Sequence, residues 1–305
     1  MTGWTDVSSA SCAELGNRIM EAALPQVAAR KVRVFGEQGL SDEGEERPDW
    51  LSAEVPVAMV FNGVSHAVMM ATPDQLEEFA LGFALSEGII DHMDDCRGVD
   101  VCEVESGSAA LPHGVGAIEV RMDIAARCFE RLKARRRTLA GRTGCGVCGV
   151  ENLAALDLVP EQLPAQPWHR EVDVATVLQA FDGLQMRQRL NAQAGSLHAA
   201  GWARLDGQLL FACEDVGRHN ALDKLIGYLA KYQNIREPGF VVLTSRGSHE
   251  LVRKCVRVGI SALATISAPT ATGVQLADLA GMRLWGLCRA PRAVLYTPGR
   301  GVTAS

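Results

Sequence analysis

The chain has 305 residues, 48% apolar and 22% charged, with a mean hydropathy of +0.05. Those proportions are those of a soluble globular protein, and the length allows two domains around a substantial core. Thirty Lys and Arg against 36 Asp and Glu give a net charge of −6, which excludes a general nucleic-acid binder.

The first thirty residues hold no apolar run with a cleavage signature, and the most apolar later stretch, Val256 to Ala268, is broken by Arg257, Ser261 and Thr265 and too short to span a bilayer. The expectation is therefore a cytoplasmic protein with no membrane partner. Residues 1–29 read as a polar tail. A short strand over Val32 to Phe35 leads into a solvated loop, 36–50. Val55 to Phe61 reads as a strand, Asn62-Gly63 as a hairpin turn because both residues tolerate positive φ, and His66 to Met70 as the returning strand. Thr72-Pro73-Asp74-Gln75 reads as a helix start, with Thr72 as hydroxyl N-cap and Pro73 at the first helical position. Leu76, Phe79, Ala80, Phe83 and Ala84 then keep helical spacing up to Glu87-Gly88. Strands over Val99 to Glu105 and Ala117 to Met122 complete a small α+β unit, 30–130. A basic, helical segment and a mobile C-x-x-C loop fill 131–150.

From 151 to 305 strands and helices alternate. Helices are expected over Thr176 to Leu190, Asn220 to Tyr232, Ser248 to Gly259 and Thr272 to Ala280. Strands are expected over Ala199 to Leu205 paired with Gln208 to Glu214, and over Phe240 to Thr244, Ser261 to Ser267 and Leu284 to Cys288. Alternation of this kind predicts a largely parallel sheet covered by helices.

In the cytoplasm nine cysteines without a repeat are not a disulfide framework. Cys12, Cys96, Cys102, Cys128, Cys213, Cys255 and Cys288 read as buried small apolar residues or incidental thiols. Cys145-Gly146-Val147-Cys148 differs, because it lies in the string Thr143 to Gly149 behind the basic run Arg131-Leu132-Lys133-Ala134-Arg135-Arg136-Arg137. Four chemistries compete for it. Structural zinc wants two further ligands, and the chain has one such pair and no His-x₃₋₅-His. A deaminase zinc site needs H-x-E before P-C-x-x-C, whereas His169-Arg170-Glu171 follows the cysteines. A thioredoxin-like redox pair would follow a buried strand rather than a basic segment. A nucleophilic thiol that accepts and passes on sulfur is served by glycines that let the loop swing, and by arginines that lower the thiol pKa and stabilise an anionic persulfide. The basic run is equally a solvated helix face or a seat for an anionic partner.

Three further clusters lie at strand ends, where α/β sheets bind ligands. Cys213 to Lys224 packs Glu214, Asp215, Arg218 and His219 ahead of a helix, which is either dipole complementation or recognition. Thr244 to Glu250, with Ser245, Arg246 and Ser248, opens another helix in a manner suited to phosphate, without a Walker sequence. Cys288-Arg289-Ala290-Pro291-Arg292 places two guanidinium groups after the last expected strand. His198 is a candidate base, though a lone histidine is more often a satisfied core residue.

Together these strings resemble the formate dehydrogenase accessory sulfurtransferase family, FdhD. The resemblance rests on Glu54 to Ala58, Met69 to Pro73, Leu81-Gly82-Phe83, Ser86 to Ile90, Cys145 to Gly149, Gly195 to Ala200, Glu214 to Ala221, Ser245 to Glu250, Ser267 to Thr270 and Tyr296-Thr297. It implies a small N-terminal α+β domain followed by a cytidine-deaminase-like α/β/α domain without zinc ligands. It also implies a sulfur carrier that takes persulfide sulfur from a cysteine desulfurase and delivers it to the molybdenum bis(guanine dinucleotide) cofactor, needed for formate dehydrogenase activity. That cofactor is bound as substrate, with GDP-like guanine-nucleotide binding and no permanent metal. On this chain the resemblance puts the sulfur on Cys145 with Cys148 as partner. It puts the cofactor contacts on Leu287, Cys288, Arg289, Ala290, Pro291 and Arg292, where Leu287 and Ala290-Pro291 depart from the family's aromatic and glycine pattern. Ser245, Arg246, Ser248, Asp215, Arg218 and His219 are the accompanying phosphate-side candidates. A homodimer is implied too. The alternative is a scaffold that docks the cofactor without carrying sulfur.

Overall fold

The computed structural model describes residues 25–35, 44–104, 116–137, 159–232, 235 and 237–300, and holds seven α-helices and twelve strands among them. β1 (Val27–Val34) and β2 (Glu45–Ser52) form an antiparallel ribbon paired residue for residue. The sequence reading gave 36–50 to a loop. β2 escaped it because its side chains are exposed on both faces, so no apolar alternation marks it. Cross-strand pairs such as Arg33–Glu46 at 3.2 Å accompany the ladder instead.

A four-stranded sheet follows, in the order β4-β3-β6-β5, from β3 (Val55–Phe61), β4 (Val64–Ala71), β5 (Cys96–Val104) and β6 (Ala117–Ile124). The turn at Asn62-Gly63 has both φ values positive, as expected. The Asn62 side chain also accepts from Ile124 N at 2.7 Å and donates to Ile124 O at 3.0 Å, fastening the turn to β6. α1 (Leu76–Ser86) and α2 (Ala126–Arg137) belong to this unit. The expected cap is not used. Gln75 is the N-cap, in the left-handed region at φ 51°, and the Thr72 hydroxyl is engaged with the other half of the molecule.

The C-terminal unit comprises α3 (Val174–Arg187), α4 (Arg189–Ala194), β7 (His198–Ala203), β8 (Leu209–Asp215), α5 (Arg218–Tyr232), β9 (Phe240–Leu243), α6 (His249–Arg257), β10 (Ala262–Thr265), α7 (Ala271–Ala280), β11 (Arg283–Arg289) and β12 (Arg292–Pro298). They build one six-stranded sheet in the order β12-β11-β10-β9-β7-β8. Parallel pairing is confined to β9, β10 and β11, whereas β7 is antiparallel to both β8 and β9, and β12 to β11. The expectation of a largely parallel sheet overshot for a covalent reason: short links can only return a strand antiparallel, while a parallel neighbour needs a crossover of a dozen or more residues. The crossovers through α5, α6 and α7 keep β8, β9, β10 and β11 pointing the same way.

Residues from α5, α6 and α7 pack on one face of this sheet, and Val177, Ala180, Phe181 and Leu184 of α3 on the other, giving the α/β/α layering. The first of these cores does not stop at the unit boundary. It runs on through Val57, Met59, Phe79, Phe83 and Val120 of the N-terminal unit. α1 and α5 cross at glycines: a Cβ on Gly82 would overlap the Asp223 carbonyl, and one on Gly227 the Glu78 carbonyl.

Candidate functional site

Because β8 to β11 share one direction, their carboxyl ends open onto a single rim. β8 supplies 215–219, β9 supplies 244–248, β10 supplies 266–270, and β11 supplies Gly286 and Leu287, while β7 begins there at His198. Backbone bonds knit these loops together: Thr244 N to Ala199 O (3.1 Å), Ile266 N to Leu243 O (2.9 Å), Thr270 N to Gly247 O (3.0 Å) and Leu287 N to Ser267 O (3.3 Å). The approach is close, since a Cβ on Gly273 would stand 2.5 Å from Gly247 O. Carboxyl ends of this sort are where open α/β sheets bind ligands.

Three side chains there have a buried polar atom without a hydrogen-bond partner: Arg218 Nε, His219 Nε2 and Ser248 Oγ. An unpaired buried donor or acceptor is costly, so two in adjacent residues at a strand-end rim point to a ligand that completes them. His219 is held down to about 4, by burial first and then by Arg218 and Lys254, against the opposing pull of Glu250 and Glu87. His198 is lowered as well, by burial and then Arg218. Both imidazoles are therefore neutral near pH 7 and supply hydrogen bonds rather than charge. Positive charge at the rim comes from Arg218 and the exposed Arg246. Ser245 Oγ bonds within its own loop, to Arg246 O at 3.2 Å, and Ser248 stands at the α6 N-cap without a side-chain capping bond.

Beneath the rim lies an ionic cluster shared by both units. Lys254 Nζ meets Asp223 Oδ1 and Oδ2, Glu87 Oε1 and Ser86 Oγ, each at 2.9 Å. Asp215 is also interior: wholly buried and 2.7 Å from the equally buried Lys224 Nζ, it faces the protein rather than a ligand. Glu214 caps α4, accepting from Leu190 N at 2.9 Å and Asn191 N at 2.8 Å.

The structure thus gathers Arg218, His219, Ser245, Arg246, Ser248 and Leu287 at one rim. Leu287 is a non-glycine residue at φ 53°, where the β11–β12 register shifts, a sparsely populated conformation of the kind found at functional sites. Arg289, Ala290, Pro291 and Arg292 lie exposed on the following hairpin, which includes the unanticipated β12. Cys288 is turned into the core, and burial pushes its thiol up to about 12, so it is a packing residue, as are Cys213 and Cys255. Cys145 and Cys148 lie outside the described residues. Of the basic run, Arg131 is committed to Asp91 at 2.8 Å and Ile89 O at 3.0 Å, and Lys133 to Glu130 at 2.6 Å. Sequence reasoning missed Lys254 and gave Thr72 only a capping role, because the partners of both are far along the chain. Ser267 to Thr270 entered it only through the resemblance. Two cavities, of about 740 and 500 Å³, lie away from the rim, one against Trp202, Arg204 and Glu237 and the other between α1 and α6. Asp91, Asp95 and Cys128 also converge, but Arg127 and Arg131 already pair with the two carboxylates.

Residues 52–302 match the model of the FdhD/NarQ family. The chain belongs to this family. Among its curated relatives, a sulfur carrier protein FdhD of Chromobacterium violaceum is 51% identical over 257 residues, covering 84% of this chain and 92% of the relative. One of Burkholderia mallei is 45% identical over 285 residues, covering 92% and 98%. A crystal structure of a putative formate dehydrogenase accessory protein from Desulfotalea psychrophila superposes with a TM-score of 0.63 at 22% identity, over 90% of this chain and 97% of that one, and so shares the fold. The FdhD/NarQ match takes in both structural units and, in sequence, the C-x-x-C segment between them.

Proposed function

We propose that this FdhD/NarQ chain is a sulfur carrier that takes persulfide sulfur from a cysteine desulfurase and delivers it to the molybdenum bis(guanine dinucleotide) cofactor of a formate dehydrogenase. The observation that carries the cofactor half of this reading is the rim, with buried, unpartnered Arg218 Nε and His219 Nε2 among strand-end loops. A guanine dinucleotide offers phosphate oxygens for Arg218, Arg246 and the exposed Arg289 and Arg292, and a base whose polar edge can meet a neutral His219. The sulfur half rests on Cys145 and Cys148 together with the relatives' name. A Cys145 thiolate attacks the outer sulfur of the donor persulfide, forming a new S–S bond as the desulfurase cysteine leaves as thiolate. Attack by Cys148 on the Cys145 sulfur then releases hydrosulfide for the metal and leaves a Cys145–Cys148 disulfide, which a cellular dithiol reduces.

No described helix is long and apolar enough to cross a membrane. The reading places the protein in the cytoplasm as a homodimer, the dimer resting on the family resemblance. Incubation with a desulfurase and cysteine, followed by peptide mass spectrometry, is expected to add the mass of one sulfur to the Cys145 peptide. Cys145→Ala is expected to abolish formate dehydrogenase activity in a cell that depends on this protein. Full activity in that variant, with GDP still bound, would make the protein a cofactor-docking scaffold instead.

A further inference from the structure

Thr72 directly follows β4 in the N-terminal unit, yet all three of its polar groups reach the 215–224 segment. Its N–H donates to Asp215 Oδ2 (3.1 Å), its hydroxyl oxygen accepts from Val216 N (3.2 Å), and its carbonyl accepts from Lys224 Nζ (3.0 Å). Asp215 extends the hold, accepting from Gly217 N at 2.8 Å and Asn220 Nδ2 at 2.9 Å, while Asn220 Nδ2 also donates to Met70 O at 2.8 Å. Residues 216, 217 and 220 are therefore fixed on both sides of Arg218 and His219. Arg218 Nε and His219 Nε2 remain without hydrogen-bond partners. A backbone held this firmly beneath unpaired buried side-chain atoms is the arrangement of a preorganised site.

We infer that Thr72 is a positioning residue for the rim: with Asp215 and Lys224 it carries the N-terminal unit into the site and sets where Arg218 and His219 stand. The inference rests on the reading of the rim as a ligand site, but its test needs no ligand. The groups facing His219 are Arg218 on its own helix, Glu250 and Lys254 on α6, and Glu87 at the end of α1. Histidine-selective NMR should find the wild-type His219 imidazole neutral down to about 4. In Thr72→Val, which removes the acceptor for Val216 N, the loop loosens and the midpoint rises by at least about one unit toward the free-histidine value. Thr72→Ser keeps the acceptor and stays with the wild type. His169, buried against Ser261 at 3.0 Å and away from the rim, is the internal control and stays put. An unmoved His219 midpoint in a folded Thr72→Val protein overturns the inference. Should that variant not fold, the double variant Asp215→Asn with Lys224→Met removes the pair without leaving a lone buried charge. It must then shift His219, and an unshifted midpoint there overturns the inference as well. Wild-type protein that fails to bind GDP counts against the proposed function, and leaves the titration result as it stands.

Discussion

His169 shows what burial does to one residue. It sits on a 3-10 turn, Pro167–Glu171, with no exposed surface, its Nε2 3.0 Å from Ser261 Oγ. Burial first, and then the Arg283 guanidinium, hold its pKa down to about 4. The unfolded chain titrates near 6.5, so between about 6.5 and 4 the unfolded state binds more protons than the folded one. Stability from this residue is complete above about 6.5 and is lost as the pH falls toward 4. Asp223, wholly buried and pushed up to about 6, acts in the opposite sense, so the informative quantity is a difference in which its contribution cancels. Denaturant midpoints from pH 7.5 to 4.5 should fall less steeply in His169→Gln than in the wild type; identical slopes would remove His169 from the account. None of this was visible in the sequence, where His169 mattered only as a histidine in the wrong order for zinc. The cysteines were easier. Cys213, Cys255 and Cys288 are interior as their residue type predicts, while Cys96 and Cys102 are only partly covered.

At the level of elements, the sequence was legible where one face is buried and one is not. β3, α1, α5 and β9 fall within a residue or two of their apolar patterns, because burial wrote those patterns. β2 and β12 were not legible: one is exposed on both faces, and the other follows a hairpin whose arginines read as a terminus. Thr72 was misread because a hydroxyl before a proline is a capping signal unless a partner 144 residues away claims it, as Val216 N does. The same long-range packing decides Gly227. It lies inside α5, where helix propensity favours alanine over glycine by about 1 kcal/mol. The crossing with α1 opposes this, because the new Cβ would overlap the Glu78 carbonyl, which belongs to backbone and cannot rotate aside. Overpacking of this kind costs about 1–3 kcal/mol or more. Gly227→Ala should therefore lower stability by about 2 kcal/mol, measured by chemical denaturation. A stabilised variant would mean that the helices cross with more room than the structure gives them.

For the whole molecule, composition and alternation divided the chain near residue 150. The physics of the junction does not respect that division. One apolar core contains Val57, Phe79 and Phe83 together with Leu222, Leu225, Val252 and Leu263, and Lys254 takes its partners from α5 and from the end of α1 alike. Removing the N-terminal half would strip Ser86 and Glu87 from Lys254 and uncover the face of α5 that now meets α1. Breaking up a buried ionic cluster costs about 3–5 kcal/mol, and the uncovered apolar face adds to that at about 25 cal/mol per Å². Against the total stability of a domain, about 5–15 kcal/mol, such losses are decisive. Calorimetry of the full chain should show a single cooperative transition that carries both units together. A fragment spanning 159–300 should lack a sharp transition and bind hydrophobic dyes. Two separated transitions, or a fragment that melts cooperatively, would show that the rim can be built without Thr72 and that the N-terminal unit is an attachment rather than part of the site.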